Sequence, residues 1–170
     1  MKKITLLLTI LTFVITSCDT LKAPKLTTAT SFSQSTGQIT VPKTNGTAVS
    51  FTKAATANLG DYINDIGNLS AISVTSFSYK FDKFSGNADG IVSLNIKVNG
   101  KEIVSVVDVK VSAASGNSVS VTDAAKLEEL TSLFSSGNQI SFEFAGSTLS
   151  DAGDMNFEVE ATVGLTATLN

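Results

Sequence analysis

The sequence predicts an antiparallel β-sandwich of about nine strands with two short helices, and three observations carry that prediction. From Thr28 onward the chain is rich in Ser, Thr, Val, Ile and Phe, the composition of strands. Apolar and polar residues alternate over several stretches, most extensively over 155–169. Turn signals such as Asn45-Gly46 and Asn99-Gly100 interrupt the alternation at short intervals. Clean alternation means antiparallel strands with one face in a core and one in water. No fixed-period repeat is visible, which argues against a solenoid or propeller.

Taken in order, residues 30–35 and 37–42 read as short strands, with Pro42 placing the second at an edge or strand end. Asn45-Gly46 reads as a hairpin turn leading into a strand over 47–52. Leu59, Tyr62, Ile63 and Ile66 then recur at helical spacing, so a short helix is expected over about 57–66, stopped by Gly67. Ile72 and Val74 alternate in one phase, and Phe77, Tyr79 and Phe81 in the other. A bulge near Thr75–Ser76 follows, which would let one long strand turn the corner between two sheets.

Val92, Leu94, Ile96 and Val98 form the clearest strand, and Asn99-Gly100 turns it tightly because both residues tolerate positive φ. The return strand, 101–112, changes phase from Val104 and Val106 to Val107, Val109 and Val111. A brief strand over 118–121 precedes the second helix, about 123–135. That helix takes Thr122 or Asp123 as N-cap, Leu127, Leu130, Leu133 and Phe134 as its apolar face, and Gly137 as C-cap. Ile140, Phe142 and Phe144 alternate next. In the last strand Phe157, Val159, Ala161, Val163, Leu165, Ala167 and Leu169 face a core, and Glu158, Glu160 and several threonines face away.

Ahead of this domain the chain has a different character. Lys2 and Lys3 lead into an apolar run from Ile4 to Ile15, closed by Thr16-Ser17-Cys18. The run is short for a membrane span, and its basic head suits a secretory signal peptide. Ile15-Thr16-Ser17-Cys18 resembles the lipobox of bacterial lipoproteins: a branched apolar residue, two small residues, then the cysteine that receives lipid. The resemblance is confined to residues 1–18 and implies nothing about the fold beyond them. It implies a signal peptide over 1–17 and acylation of Cys18; the short, polar stretch that follows, holding Pro24, reads as a tether over 18–27, and the length of the rest predicts one domain, 28–170. It also implies export to the cell envelope, with the outer membrane or cell surface favoured over the inner membrane. Asp19 follows the acylated position, where enteric bacteria read aspartate as inner-membrane retention, a rule that does not transfer to every bacterial group.

Composition removes several chemistries. The 170-residue chain carries a net charge of −3, and loss of Lys2 and Lys3 makes it more acidic. All its basic residues are lysine, and no basic stripe is visible, so nucleic acid is not an expected partner. Histidine and tryptophan are absent and Cys18 is the single cysteine, which rules out Ser-His and Cys-His nucleophile pairs and imidazole metal sites.

The remaining candidates are carboxylates and aromatics. The loop 85–90 (Ser-Gly-Asn-Ala-Asp-Gly) resembles part of an EF-hand calcium loop. Asn87, Asp89 and Gly90 fit its third, fifth and sixth places, but Ser85 and Ile96 stand where the first and last ligands belong. Asp151 and Asp154, with Asn156 nearby, form a second acidic loop. Asp89, Asp151 and Asp154 are therefore weak calcium candidates, outweighed by ordinary turn geometry. Glu158 and Glu160 share a strand face and resemble an acid/base pair, yet they alternate with core residues on a wet face, where solvated charge is the better reading. Phe77, Tyr79 and Phe81 read as core rather than as a ligand groove.

No catalytic residue and no cofactor is expected. The expectation is a lipid-anchored, non-catalytic binding or structural module, held to a membrane through Cys18 and suited to a protein or glycan partner. Two alternatives are a carrier or chaperone for an apolar ligand, which requires an enclosed cavity, and a carboxylate-based enzyme, which requires buried acids converging in a cleft.

Overall fold

A computed structural model describes residues 25–64 and 66–170 of the chain. The expected signal peptide, Cys18 and most of the expected tether lie outside the described residues.

The alternation in the last fifteen residues produces the strand on which one sheet is built. In β9 (Met155–Leu169) every second residue from Met155 is buried, while Glu158, Glu160, Thr162, Thr166 and Thr168 stay partly exposed. β1 (Leu26–Ser35) pairs along one side of it, from Leu26↔Leu169 to Ser35↔Glu160. β2 (Ile39–Val41) continues the same edge at Ile39↔Phe157. Between them the Thr36 N–H donates to the Val159 carbonyl at 2.9 Å. The Val159 N–H in turn donates to Thr36 Oγ1 at 3.0 Å, so a side chain replaces the missing ladder bond. β1 starts at Leu26 and thus takes the last two residues of the expected tether.

β4 (Leu69–Gly86) pairs along the other side of β9, and β7 (Ser118–Ser120) adds a short edge to it. The second sheet holds β3 (Val49–Asn58), β8 (Gln139–Leu149), β5 (Ile91–Val98) and β6 (Lys101–Lys110). The strand orders are β1-β9-β4-β7, with β2 beside β9, and β3-β8-β5-β6. Among the described residues the pairings between these strands are antiparallel. Counting β1 and β2 as one interrupted strand, this is the eight-strand order of a jelly roll. The predicted sandwich of about nine strands stands.

One continuous core fills the space between the sheets. Phe77, Phe142, Phe144 and Phe157 are fully buried there, together with Leu94, Ile96, Ile140, Met155 and Leu165. α2 (Ala124–Ser135) adds Leu130 and Phe134. Its N-cap is Asp123, whose carboxylate accepts from the Ala125 N–H at 2.9 Å. Its end is closed by Ser136, whose Oγ donates to the Leu133 carbonyl at 2.7 Å, so Gly137 is not the left-handed cap expected of it.

Several details differ from expectation for identifiable reasons. The helix expected over 57–66 is two single-turn 3-10 helices, Leu59–Asp61 and Ile66–Asn68, because β3 runs on through Asn58. Asn45-Gly46 does adopt positive φ (51° and 80°), but it carries the chain from one sheet to the other and closes no hairpin. The bulge at Thr75 is present, between the pairs Val74↔Leu165 and Ser76↔Gly164. β4 nevertheless stays in one sheet, since its partner β9 is long enough to follow it throughout. In β6 the phase change is a bulge in which Asp108 takes φ 52° and Val107 is 73% exposed, so Val107 leaves the buried set. That strand ends at Lys110, and Val111–Ala114 form a one-turn helix, α1. Asn99-Gly100 turns β5 into β6 as expected, with φ values of 48° and 80°.

Candidate functional site

The acidic loops meet at one end of the sandwich, brought together because β4, β5, β8 and β9 all begin or end there. The Asn87 N–H donates to the Asp154 carbonyl at 2.8 Å, and Asn87 Nδ2 donates to Ser150 Oγ at 2.9 Å. Asp151 Oδ1 accepts from the Thr44 hydroxyl and from the Gly46 N–H, both at 2.6 Å. Asp154 Oδ1 accepts from the Lys43 N–H at 2.9 Å. These two carboxylates therefore hold the turn over 43–46. The Thr44 hydroxyl, then the Gly46 N–H, keep the Asp151 carboxyl below the usual aspartate range.

Asp89 lies apart from them in function. Its carboxylate is largely exposed and pairs with Lys110 Nζ at 2.8 Å, which lowers its pKa. Its N–H donates to Asn87 Oδ1 at 3.0 Å, the side-chain turn expected of Asn in such a loop. Asn156 lies in β9, paired with Thr40 and Ser85. Among the described residues no group of three or more acids gathers around a possible ion. The loops converge, but each carboxylate is directed at its own lysine or backbone donor.

Glu158 and Glu160 share the outer face of β9, as their spacing requires. Glu158 pairs with Lys83 at 3.1 Å and accepts from Ser35 Oγ at 3.3 Å. Lys80 contacts Asp82 at 2.9 Å and Glu160 at 3.7 Å, and the hydrogen bond to Asp82, then the charge of Glu160, hold the ammonium above its usual pKa. This is a partly exposed chain of ion pairs, not a desolvated acid facing a base. Phe77, Tyr79 and Phe81 are buried on the inner face of β4. Tyr79 meets Phe81 edge-on at 6.4 Å, Phe81 meets Phe157 at 6.0 Å, and burial raises the Tyr79 phenol pKa. That stripe is core.

The feature that sequence reading did not single out is a groove on the outer face of β3-β8-β5-β6. Ser50, Ser93, Asn95, Ser105, Val107, Ala145 and Ser147 line a space of about 370 Å³. The depression exists because small side chains meet in register: Ser93↔Ser147, Asn95↔Ala145 and Ser50↔Ser147 are cross-strand pairs, and Asn95 also opposes Ser105. Asn95 sits at its centre. Its Nδ2 donates to Glu102 Oε2, which turns Oδ1 the other way, and that buried oxygen has no partner among the described residues. An acceptor left so costs about 1–3 kcal/mol. These residues were missed because each reads singly as the polar half of an alternating strand. The available signal was the recurrence of small polar residues, Ser50, Ser93, Ser105 and Ser147, at outward positions of these strands.

No family model matches the chain, and no curated protein matches it. Solved structures do match. The structure of infectious bursal disease virus, Gx strain, is 12% identical over 84% of this chain and 36% of that one, with a TM-score of 0.37. The 60-mer BFDV capsid protein is 9% identical over 86% of this chain and 94% of that one, with a TM-score of 0.38. The decameric BFDV capsid protein is 8% identical over 85% and 99%, with a TM-score of 0.36. This chain spans only about a third of the length of the bursal virus chain it matches. Overlap this loose carries no argument about family or activity, and the jelly-roll assignment rests on the strand order alone.

Proposed function

We propose that the chain is an exported, lipid-anchored protein of the cell envelope, favouring the outer membrane or cell surface, whose jelly-roll domain is a non-catalytic binding module. The location rests on Lys2, Lys3 and the run ending in Ile15-Thr16-Ser17-Cys18, which match a lipoprotein signal. Acyl chains on Cys18 hold the domain at a membrane, and residues up to Lys25 supply reach.

The observation that carries the binding reading is the groove centred on Asn95. Serine hydroxyls donate and accept, and the exposed Val107 offers apolar contact. Such a surface suits an uncharged, hydrogen-bonding partner, a glycan or a polar protein segment. Carriage of an apolar ligand is the weaker reading. The interior is filled by phenylalanine, and the recess beside β1, lined by Leu26, Tyr62, Ile63 and Leu169, holds about 230 Å³. Small-molecule sites usually hold roughly 300–1,000 Å³.

The anchor is tested by expressing Cys18→Ser and fractionating membranes. The variant is expected in the soluble fraction, and retention in the membrane pellet like the parent would end the lipid reading. The groove is tested by Asn95→Leu, read by binding of intact cell-wall material to the parent and the variant. Loss of a binding signal that the parent shows supports the groove; equal binding by both overturns it.

A further inference from the structure

The edges of the two sheets are not treated alike. An edge strand exposes a row of backbone donors and acceptors to any passing strand, and proteins blunt such edges with inward charge, bulges, brevity or a covering element. β3 carries Lys53 at its centre, in the same phase as Phe51, Ala55 and Ala57, which pack on the core. That is an inward-phase edge lysine. β6 is bulged at Ile103 and at Val107–Asp108, and it begins and ends in Lys101 and Lys110.

β7 has three residues, and beyond it α2 covers β4, with Thr131 Oγ1 accepting from the Val74 N–H at 2.9 Å. β2 is also three residues long and stops at Pro42. β1 alone carries none of these devices. Its ten residues, Leu-Thr-Thr-Ala-Thr-Ser-Phe-Ser-Gln-Ser, hold no charge and no proline and pair with β9 in ten unbroken steps. Leu26, on the inward phase of this edge, is 61% exposed. Among the described residues nothing pairs with its outer side.

We propose that β1 is a strand-addition interface between two copies of this chain, formed by antiparallel pairing of β1 with itself about Ala29. The register follows from the sequence. Ala29 meets Ala29 at the two-fold axis, Thr28 meets Thr30, Thr27 meets Ser31, and Leu26 meets Phe32. Hydroxyl pairs stabilise such ladders, no like charges oppose one another, and the exposed Leu26 gains an apolar cover. The five-stranded sheets of two copies then become one continuous sheet. This interface lies on the opposite sheet from the groove and does not depend on the proposed anchor.

The test is a cysteine scan of the full chain in its native membranes or soluble fraction, under mild oxidation. Thr27, Ala29, Ser31 and Ser33 on β1 are each replaced by Cys, with Thr52→Cys on β3 and Ser105→Cys on β6 as controls. The parent, carrying Cys18 only, sets the baseline. Directly opposed Cβ atoms about 4.5–5.5 Å apart are close enough for a disulfide to form with small movement.

Ala29→Cys is expected to give a covalent dimer at least tenfold above the parent and above both controls. A peak at another outward position of β1 keeps the interface and shifts its register. Adding Thr28→Lys or Ser31→Lys, which supply the charge that β1 lacks, should abolish the cross-link while leaving the melting temperature near that of the parent. No dimer at any β1 position, or equal yield at β1 and the controls, overturns the proposal. So does cross-linking only to a different protein, which would make β1 a receptor for a foreign strand.

Discussion

Gly146 stands where two strands and a ring crowd together. A Cβ there would meet the Ser93 carbonyl oxygen and would lie 2.7 Å from Cζ of Phe51. The carbonyl belongs to the ladder and cannot give way, so Gly146→Ala is expected to destabilise by about 1–3 kcal/mol, read from denaturant melts. Gly164 is a milder case. Its Cβ would meet Ser76 Oγ first and Thr75 Oγ1 at 3.1 Å, both side-chain ends at the bulge. Ser76 can rotate, so Gly164→Ala should cost clearly less than Gly146→Ala, and Ser76→Ala should remove most of that loss. Asp151 gives a pH signature. Its folded pKa is lowered, so its stabilisation is complete above the ordinary aspartate value and is lost as pH falls through the depressed one. Asp151→Ala should therefore melt below the parent at neutral pH, and the gap should close in acid. A gap that persisted at the acid end would mean that the carboxylate charge is not what holds the 43–46 turn.

Among the elements, α2 shows how a helix substitutes for a strand. β7 covers only Ser78, Tyr79 and Lys80 of the β4 edge, and α2 lies along the part before it. Val74 is buried, and its N–H depends on Thr131 Oγ1. Thr131→Val keeps the shape and removes the acceptor, so it should cost about 1–3 kcal/mol and speed amide exchange at Val74. Phe134→Ala, which empties the helix's deepest contact, should cost about 3–5 kcal/mol. The apolar spacing in α2 was legible because four hydrophobic residues fall on one face and Asp123 caps the start. Leu59, Tyr62, Ile63 and Ile66 show the same spacing without the same result. Asn58 ends a strand there and its side chain caps a single 3-10 turn, so tertiary pairing of β3 with β8 overrides the local period.

At the scale of the whole molecule, the pairing of β9 with β1 joins the first and last strands of the described residues. Leu169 pairs with both Leu26 and Leu69, so the sheet is incomplete until the last strand is in place. Removing residues 155–170 should leave no cooperative unfolding transition, because β1, β2 and β4 lose their shared neighbour. The same topology predicts refolding on the millisecond-to-second scale, as in other sandwiches dominated by pairings distant in sequence, and stopped-flow fluorescence of Tyr62 and Tyr79 can follow it.

The sequence by itself determined the strands, the bulge at Thr75, the turn at Asn99-Gly100 and the second helix. Each of these depends on neighbours within a few residues, through side-chain alternation or backbone conformation. It also carries, in residues 1–18, the pattern from which an anchor is proposed. Only the tertiary structure decided which strands share a sheet, because pairings such as Leu26↔Leu169 leave no local trace. For the same reason it alone assembled the groove from Ser50, Ser93, Asn95, Ser105 and Ser147, residues that four strands bring together. It likewise turned the acidic loop at Asp151 and Asp154 into a support for a turn and left β1 as an edge without protection. Register and sheet order are long-range properties, fixed when the core closes, and the candidate surfaces of this protein are made of them.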